Sequence, residues 1–308
     1  MDIETLGSSE LQVSLLGLGC NNFGMTIDLD ATRAVVDAAI DAGINFFDTA
    51  DLYGETQSES FLGEALKGRR DSVVLATKFG GLAFASGGSG WGTRESIVAC
   101  VESSLKRLQT DRIDLYQIHY PDPDTPLEET LAALDDLLQS GKVLALGCSN
   151  VTAAFLDEAD AVSPGPGFAS VQNEWSLLNR EIEEGLVPAC QKRGLHVLPY
   201  FPLASGVLTG KYRRGEAFGK GTRLATVEYF QHFGAEENLA KAEALRAFAE
   251  KRGHSLLELA LGWLASHPAV GSVIAGATRP EQVRQNAEAM GWQLSAEERA
   301  EVDALVPG

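Results

Sequence analysis

A chain of 308 residues in which 44% are hydrophobic can bury a large core, enough for one large α/β domain or two of average size. Its formal net charge of −18 opposes phosphate backbones, and no basic run exceeds a pair such as Lys106–Arg107 or Arg213–Arg214, so nucleic acid is not an expected partner. Cys20, Cys100, Cys148 and Cys190 are scattered without a Cys-x-x-Cys pair or an adjacent His cluster, which disfavours both a disulfide framework and a structural metal.

The chain starts with acidic residues where a secretory signal would carry positive charge, and it lacks an uninterrupted apolar run long enough to span a bilayer. A soluble, cytoplasmic protein without membrane association is expected. Thr5–Val13 reads as two short strands about a turn at Gly7-Ser8-Ser9, a hairpin ahead of the main fold.

From residue 14 onward short apolar runs alternate with longer amphipathic ones. SLLGLG (14–19) precedes 30–42, INFFDTA (44–50) precedes 58–68, VVLATKF (73–79) precedes 94–108, and IDLYQIH (113–119) precedes 127–141. VLALGCS (143–149), SVQNEW (170–175), HVLPYF (196–201) and SVIAGA (272–277) continue the alternation with helices over 153–160, 183–194, 237–253 followed by 255–267, and 280–290. Eight parallel strands with intervening helices close into a (β/α)8 TIM barrel that leaves no exposed edge. The chain is therefore read as a single barrel domain over residues 1–308. Two stretches, 80–93 and 206–233, are read as irregular connections on the C-terminal face, where barrel enzymes keep their sites.

The informative residues are polar ones at the ends of apolar strands. Asp48, Lys78 and His119 end three successive strands; Ser149 and Asn150 end the next, Gln172 lies in the sixth, Tyr200 ends the seventh, and Thr278 follows the eighth. Burying Asp48 or Lys78 alone is costly, whereas neighbouring strands let them form an ion pair. That pair alone has a purely structural explanation. Tyr53, five residues beyond Asp48 in DTADLYGE, adds a phenol whose ordinary pKa of about 10 makes it a poor acid unless a cation stabilises its phenolate. Lys78 can supply the cation, Asp48 can fix the ammonium, and His119 can hold a substrate oxygen. Such a set suits protonation of an oxyanion.

These residues lie in NFFDTADLYG (45–54), VVLATKFG (73–80), RIDLYQIHYPDPDTP (112–126) and VLALGCSNV (143–151), which resemble the motifs of the aldo-keto reductase superfamily in the same order. The resemblance runs from the LGSSELQVSLLGLGCNNFG entry segment to IAGATRPEQVRQNAEA, and is nearest to the branch holding potassium-channel β subunits and bacterial aldehyde and ketone reductases. It implies an NADP(H)-dependent oxidoreductase acting on a small carbonyl or alcohol substrate. Tyr53 would be its general acid, Lys78 would lower the Tyr53 pKa, Asp48 would pair with Lys78, and His119 would orient the carbonyl.

The same resemblance implies the cofactor residues. Ser149, Asn150 and Gln172 would bond the nicotinamide carboxamide, and Tyr200 would stack on the ring. Pro202, Leu203, Ser205 and Lys211 of YFPLASGVLTGKY would line the pyrophosphate path. Lys211, Arg223 and Arg279 are the cations for the phosphate end, with Arg223 first. Gly276 and Thr278 would lie near the 2′-phosphate, with Gln282, Gln285 and Asn286 around the adenine. Many relatives carry Glu where Gln285 stands. The helix opening at Pro280 would favour an anion through its free N–H groups.

Three other readings bear on function. A redox-sensing NADP(H)-binding subunit with little turnover is the alternative, but channel-associated relatives carry an amide where His119 stands. A glycoside hydrolase using Asp48, Glu55 and Glu59 leaves Lys78 and Tyr53 without a task. An NADH preference is also compatible with a basic residue near the ribose. Trp91, Phe84, Phe230 and Phe233 are aromatic candidates for a pocket wall, and the apolar helix faces leave oligomeric state open.

Overall fold

The computed structural model describes residues 1–219 and 221–307. Strands β1 (Ile3–Thr5) and β2 (Gln12–Ser14) form the antiparallel hairpin expected at the N-terminus. The main run then follows as β3 (Leu16–Gly19), α1 (Leu29–Asp41), β4 (Phe46–Asp48), α2 (Gln57–Ala65), β5 (Val74–Phe79), α3 (Gly81–Ala85), α4 (Arg94–Leu108), β6 (Ile113–Ile118) and α5 (Leu127–Gln139). It continues as β7 (Val143–Ser149), α6 (Ala153–Val162), β8 (Ser170–Gln172), α7 (Leu186–Arg193), β9 (His196–Val197), α8 (Arg223–Thr226), α9 (Glu236–Lys251) and α10 (Leu256–Ala265). The final elements are β10 (Val273–Gly276), α11 (Pro280–Ala289) and α12 (Ala296–Leu305).

Eight of the strands, β3 to β10, pair in parallel in the order β10-β3-β4-β5-β6-β7-β8-β9. The two ends of this order meet as well. Val197 of β9 donates to the Ala269 carbonyl at 2.7 Å and accepts from Gly271 at 3.0 Å, and Ile274 of β10 donates to Pro199 at 3.0 Å. These bonds join the last pair of strands and close the (β/α)8 barrel.

Two apolar layers follow from this closure. Inside the barrel, Phe46, Ala76, Leu115, Ala145, Ala169, Leu198 and Ile274 meet Leu6 and Val13 of the hairpin segment. The hairpin thus plugs the N-terminal end, and Gly7 turns there with φ +54, where a Cβ would collide with the Ala169 carbonyl. Outside, the strands bury Leu18, Phe47, Leu75, Tyr116, Leu146 and Val171 against the helices. With one end filled by the hairpin, the C-terminal end is left for ligands.

Helix starts obey local chemistry. Asp28 caps α1 by accepting from Ala31 N–H, and Thr93 caps α4 by accepting from Ser96. Ser255 with Glu258 and Ser295 with Glu298 form reciprocal capping boxes at α10 and α12.

Several expected boundaries change. The run 196–201 yields only a two-residue strand, because Pro199 and Pro202 have no N–H to give a ladder. The stretch 80–93 contains α3. The stretch 206–233 carries α8 and 3-10 turns over Ala204–Thr209 and Glu228–Gly234. Both connections hold short helical turns within chain that is otherwise irregular, as expected.

Candidate active site

Asp48 closes β4, Lys78 lies one residue from the end of β5, and His119 follows β6, so three adjacent parallel strands deliver their side chains to one end of the barrel. Lys78 is fully buried, and its ammonium donates to Asp48 Oδ2 at 2.6 Å, to the Thr49 carbonyl at 2.9 Å and to the Tyr53 hydroxyl at 3.3 Å. All three of its N–H bonds are thereby used. The Tyr53 and His119 rings meet edge to face, with centroids 5.8 Å apart.

The electrostatics follow from burial. Desolvation alone would push the Lys78 pKa down, but Asp48 and Tyr53 outweigh it and hold the pKa above the ordinary lysine value. Desolvation raises the Tyr53 pKa, and Lys78 pulls it only part of the way back. The phenol therefore keeps its proton, where the sequence had suggested a pKa lowered overall by Lys78. Burial, reinforced by Lys78, drives His119 well below the usual histidine range, so its imidazole is neutral. A protonated phenol and a neutral imidazole beside a fixed ammonium can bind an oxygen atom and protonate it as negative charge develops.

Asp48 is held on its other side by two amides. Gln117 Nε2 donates to Asp48 Oδ1 at 3.0 Å and Gln172 Nε2 donates to the same oxygen at 2.8 Å, while Gln172 also approaches Gln117 Oε1 at 3.3 Å. Both carboxylate oxygens are thereby engaged. Gln117 was missed from the sequence, although an amide two residues before His119 in a buried strand shares its face by the period of two.

The residues expected around a nicotinamide form one network. Ser149 donates to the Gln172 carbonyl at 2.7 Å, and Asn150 Nδ2 donates to Ser149 Oγ at 3.1 Å and to the His119 carbonyl at 3.0 Å. Tyr200 donates to Asn150 Oδ1 at 2.8 Å. These donors are already engaged within the protein, so they are positioned against one another rather than free. Gln172 Oε1 accepts no hydrogen bond among the described residues, which leaves it for an external amide.

The segment after Tyr200 is conformationally unusual. Phe201, Ala204 and Ser205 have φ of +50, +44 and +53, followed by Gly206 at +94. Non-glycine residues in this region are strained, and such strain concentrates where a ligand is bound. Ser205 Oγ is buried without a partner. Pro202 is buried, Leu203 is half-buried, and Lys211 is exposed.

Arg223 opens α8 and lies over the Phe230 ring at 4.9 Å. Burial lowers its pKa, yet its guanidinium makes no ion pair with a carboxylate among the described residues. It donates instead to Asn22 Oδ1 at 2.6 Å, and Asn22 Nδ2 donates to the Ala277 carbonyl at 3.3 Å. Buried Asn22 thus ties the Arg223 segment to the end of β10, where Gly276, Thr278 and Arg279 are partly or fully exposed. Asn22 was also missed, because it lies in a loop without periodicity.

At α11, Gln282 accepts from the Thr278 N–H at 2.8 Å and from its hydroxyl at 3.1 Å, so its side chain braces the turn. Asn286 is buried and Gln285 exposed. A half-buried cation without a carboxylate partner among the described residues, an orphaned buried hydroxyl and a helix N-terminus share this face, and all three suit a phosphorylated cofactor.

The other candidates are placed differently. Trp91 is buried and donates to the Tyr120 carbonyl at 2.9 Å, and Phe84 stacks on Tyr120 with centroids 4.1 Å apart. Phe230 and Phe233 pack edge to face on Phe201. Glu59 is bound by the Thr77 hydroxyl at 2.7 Å and by Arg107 at 2.6 Å, so it is not a free carboxylate facing Asp48. Glu55 is exposed and Asp48 is tied to Lys78, so the hydrolase reading finds no pair of free carboxylates among its candidates.

Comparison with known proteins agrees with this geometry. The profile of the aldo/keto reductase family matches residues 15–307. The chain is 35% identical to aldo-keto reductase YhdN of Bacillus subtilis (strain 168), with 99% of this chain and 94% of that protein covered. The holo form of aldo-keto reductase AKR11C1 from Bacillus halodurans superposes with a TM-score of 0.80 at 34% identity, covering 99% of this chain and 96% of that one. The chain belongs to the aldo/keto reductase family of oxidoreductases.

Proposed function

We propose that this protein is a cytoplasmic, NADP(H)-dependent reductase of aldehydes or ketones in which Tyr53 is the general acid. The observation that carries the reading is the buried Lys78 ammonium, 2.6 Å from Asp48 Oδ2 and 3.3 Å from the Tyr53 hydroxyl. When bound, the reduced nicotinamide supplies a hydride to the carbonyl carbon. The protein's own contribution is to the oxygen. His119 orients it by a hydrogen bond, Tyr53 passes its phenolic proton to it as charge builds up, and Lys78 stabilises the phenolate left behind. Asp48 keeps the ammonium charged and in place.

Gln172 Oε1 would accept from the carboxamide, Ser149 and Asn150 would exchange internal hydrogen bonds for ones to it, and Tyr200 would cover the ring face. Ser205, Lys211 and Arg223 would hold the phosphate groups, with Gly276, Thr278, Arg279, Gln282, Gln285 and Asn286 at the adenosine end. Arg223 supports NADPH over NADH because a bidentate guanidinium matches a phosphate monoester. A sensing subunit with little turnover is less favoured, because the residues that would protonate an oxyanion are all present.

The reading is tested by following NADPH consumption over a panel of small aldehydes and ketones, with Tyr53→Phe alongside. The expected result is turnover by the parent protein and a loss of at least about 100-fold in kcat in the variant, the scale of a positioned general acid. NADPH binding measured by fluorescence should hardly change. Near-normal turnover by Tyr53→Phe would remove the general-acid assignment.

A further inference from the structure

Two polar atoms next to the catalytic group lack partners. His119 Nδ1 and Asp51 Oδ1 are both sealed from solvent and make no hydrogen bond. They also crowd the same glycine. A Cβ added to Gly81 would lie 2.5 Å from His119 Nδ1 and 2.9 Å from Asp51 Oδ1, so a single atom-sized position beside this glycine touches both. The two atoms are thus no more than about 5.4 Å apart across the bare Gly81 Cα, and rotation of either side chain brings them into hydrogen-bond reach. His119 Nε2 is neither sealed nor hydrogen-bonded among the described residues.

We infer that Asp51 is a positioning residue for His119, and that gain or loss of its proton decides which ring nitrogen of His119 carries hydrogen. With Asp51 as the neutral acid, its O–H donates toward Nδ1, and the ring hydrogen resides on Nε2, ready to donate to a carbonyl oxygen. With Asp51 as carboxylate, it accepts from Nδ1–H, and Nε2 presents a lone pair that accepts from an alcohol. The conversion releases one proton to solvent in total, and the imidazole stays neutral at both ends. One form suits reduction and the other oxidation, so this inference rests on the reductase reading above and adds a device that tunes its direction.

The surroundings favour titration in a useful range. Asp51 accepts from Gly80 N–H at 3.1 Å, and burial together with Glu59 raises its pKa to about 6, against the opposing pull of the Leu82 and Gly80 N–H groups and Arg107. Glu59 is itself paired with Arg107, so the two largely cancel at Asp51. The Cys100 thiol and the Tyr116 phenol also face Asp51, and burial holds both protonated. His119 faces the Lys78 ammonium and is bracketed by the Tyr53 and Tyr120 rings, and the cation disfavours an imidazolium. The proton exchanged is therefore that of Asp51.

The test is nitrogen NMR of the full chain labelled in its 5 histidines, with His119 assigned from the spectrum of His119→Asn, and without cofactor or substrate. Between about pH 5 and about pH 8 the protonated-type resonance of His119 should move from Nε2 to Nδ1 without an imidazolium appearing. The midpoint should lie near the Asp51 value of about 6. Asp51→Asn should hold one tautomer throughout, and Asp51→Glu should keep the switch with a displaced midpoint. A single tautomer across the range in the parent protein would overturn the inference, even if no variant folds. So would a switch that persists unchanged in Asp51→Asn. Absence of carbonyl turnover would instead sink the reductase reading, since the nitrogen spectra need no substrate.

Discussion

Gln117 and Gln172, on strands β6 and β8, aim their amide nitrogens at the same oxygen of Asp48, at 3.0 and 2.8 Å. The opposite oxygen holds Lys78. Asp48 therefore links two tasks, since the carboxylate that fixes the ammonium also sets the rotamer of the side chain proposed to bind the nicotinamide carboxamide. Gln117→Leu removes one donor from an ionised acceptor and releases Gln172 from its second contact. Hydrogen bonds to charged groups contribute about 1.5–3 kcal/mol, so a loss of roughly 10- to 100-fold in kcat/KM is expected. It should include a raised KM for NADPH, which a defect confined to Lys78 would not produce. Steady-state kinetics with NADPH varied at saturating carbonyl separate the two, and an unchanged KM would detach Gln117 from cofactor binding.

The buried pair Asp48–Lys78 also makes a prediction about stability. Asp48→Asn leaves the fully buried Lys78 without its counter-charge, a change that typically costs about 3–5 kcal/mol. Lys78→Met strands Asp48 in the same way. The double variant Asp48→Asn/Lys78→Met has neither charge to desolvate and should recover most of the lost stability while remaining inactive. Urea unfolding of the four proteins gives the coupling directly. A double variant as unstable as the sum of the singles would mean that the pair is not a balanced unit.

The barrel and its strand-end residues were legible because they rest on periodicity. An apolar strand ending in Asp48, Lys78 or His119 has few explanations, and the register then carries all three to one end. Gln117 was readable by the same rule, since it alternates with Ile118 and shares the His119 face. Asn22 and Asp51 were not, because each belongs to a loop and acquires its meaning from a partner far along the chain, Arg223 in one case and His119 in the other. The two-residue β9 shows a different limit, where apolar character suggested a strand that Pro199 cannot complete.

Asp51 predicts a pH dependence of stability whose sign differs from that of a salt-bridged carboxylate. Its folded pKa of about 6 stands above the ordinary aspartate value of 3.8, so the native state binds the proton more tightly than the unfolded chain does. The unfavourable contribution is absent below the unfolded pKa, grows as pH rises through this window, and is complete above the folded value. At about 1.4 kcal/mol per unit, the linkage corresponds to a loss of about 3 kcal/mol above the window. Asp51→Asn should therefore gain stability relative to the parent protein as pH rises from about 4 to about 6, with the difference constant beyond. Unfolding free energies measured for both proteins at each pH provide the check, and a difference that does not vary with pH would refute the raised pKa.

Arg223 carries the prediction about cofactor choice. It is a half-buried guanidinium lying over the Phe230 ring, bonded to Asn22 and unpaired with any carboxylate among the described residues, so it is poised for an anion that the protein does not itself provide. If that anion is the 2′-phosphate of NADPH, Arg223→Met keeps the packing on Phe230 and removes the charge. One charge-assisted contact of about 1.5–3 kcal/mol predicts a rise of roughly 10- to 100-fold in KM for NADPH. NADH lacks the phosphate, so its kcat/KM should change by less than about 3-fold, within ordinary context effects. Parallel kinetics with the two cofactors decide the matter, because equal losses for both would place Arg223 on the shared pyrophosphate instead.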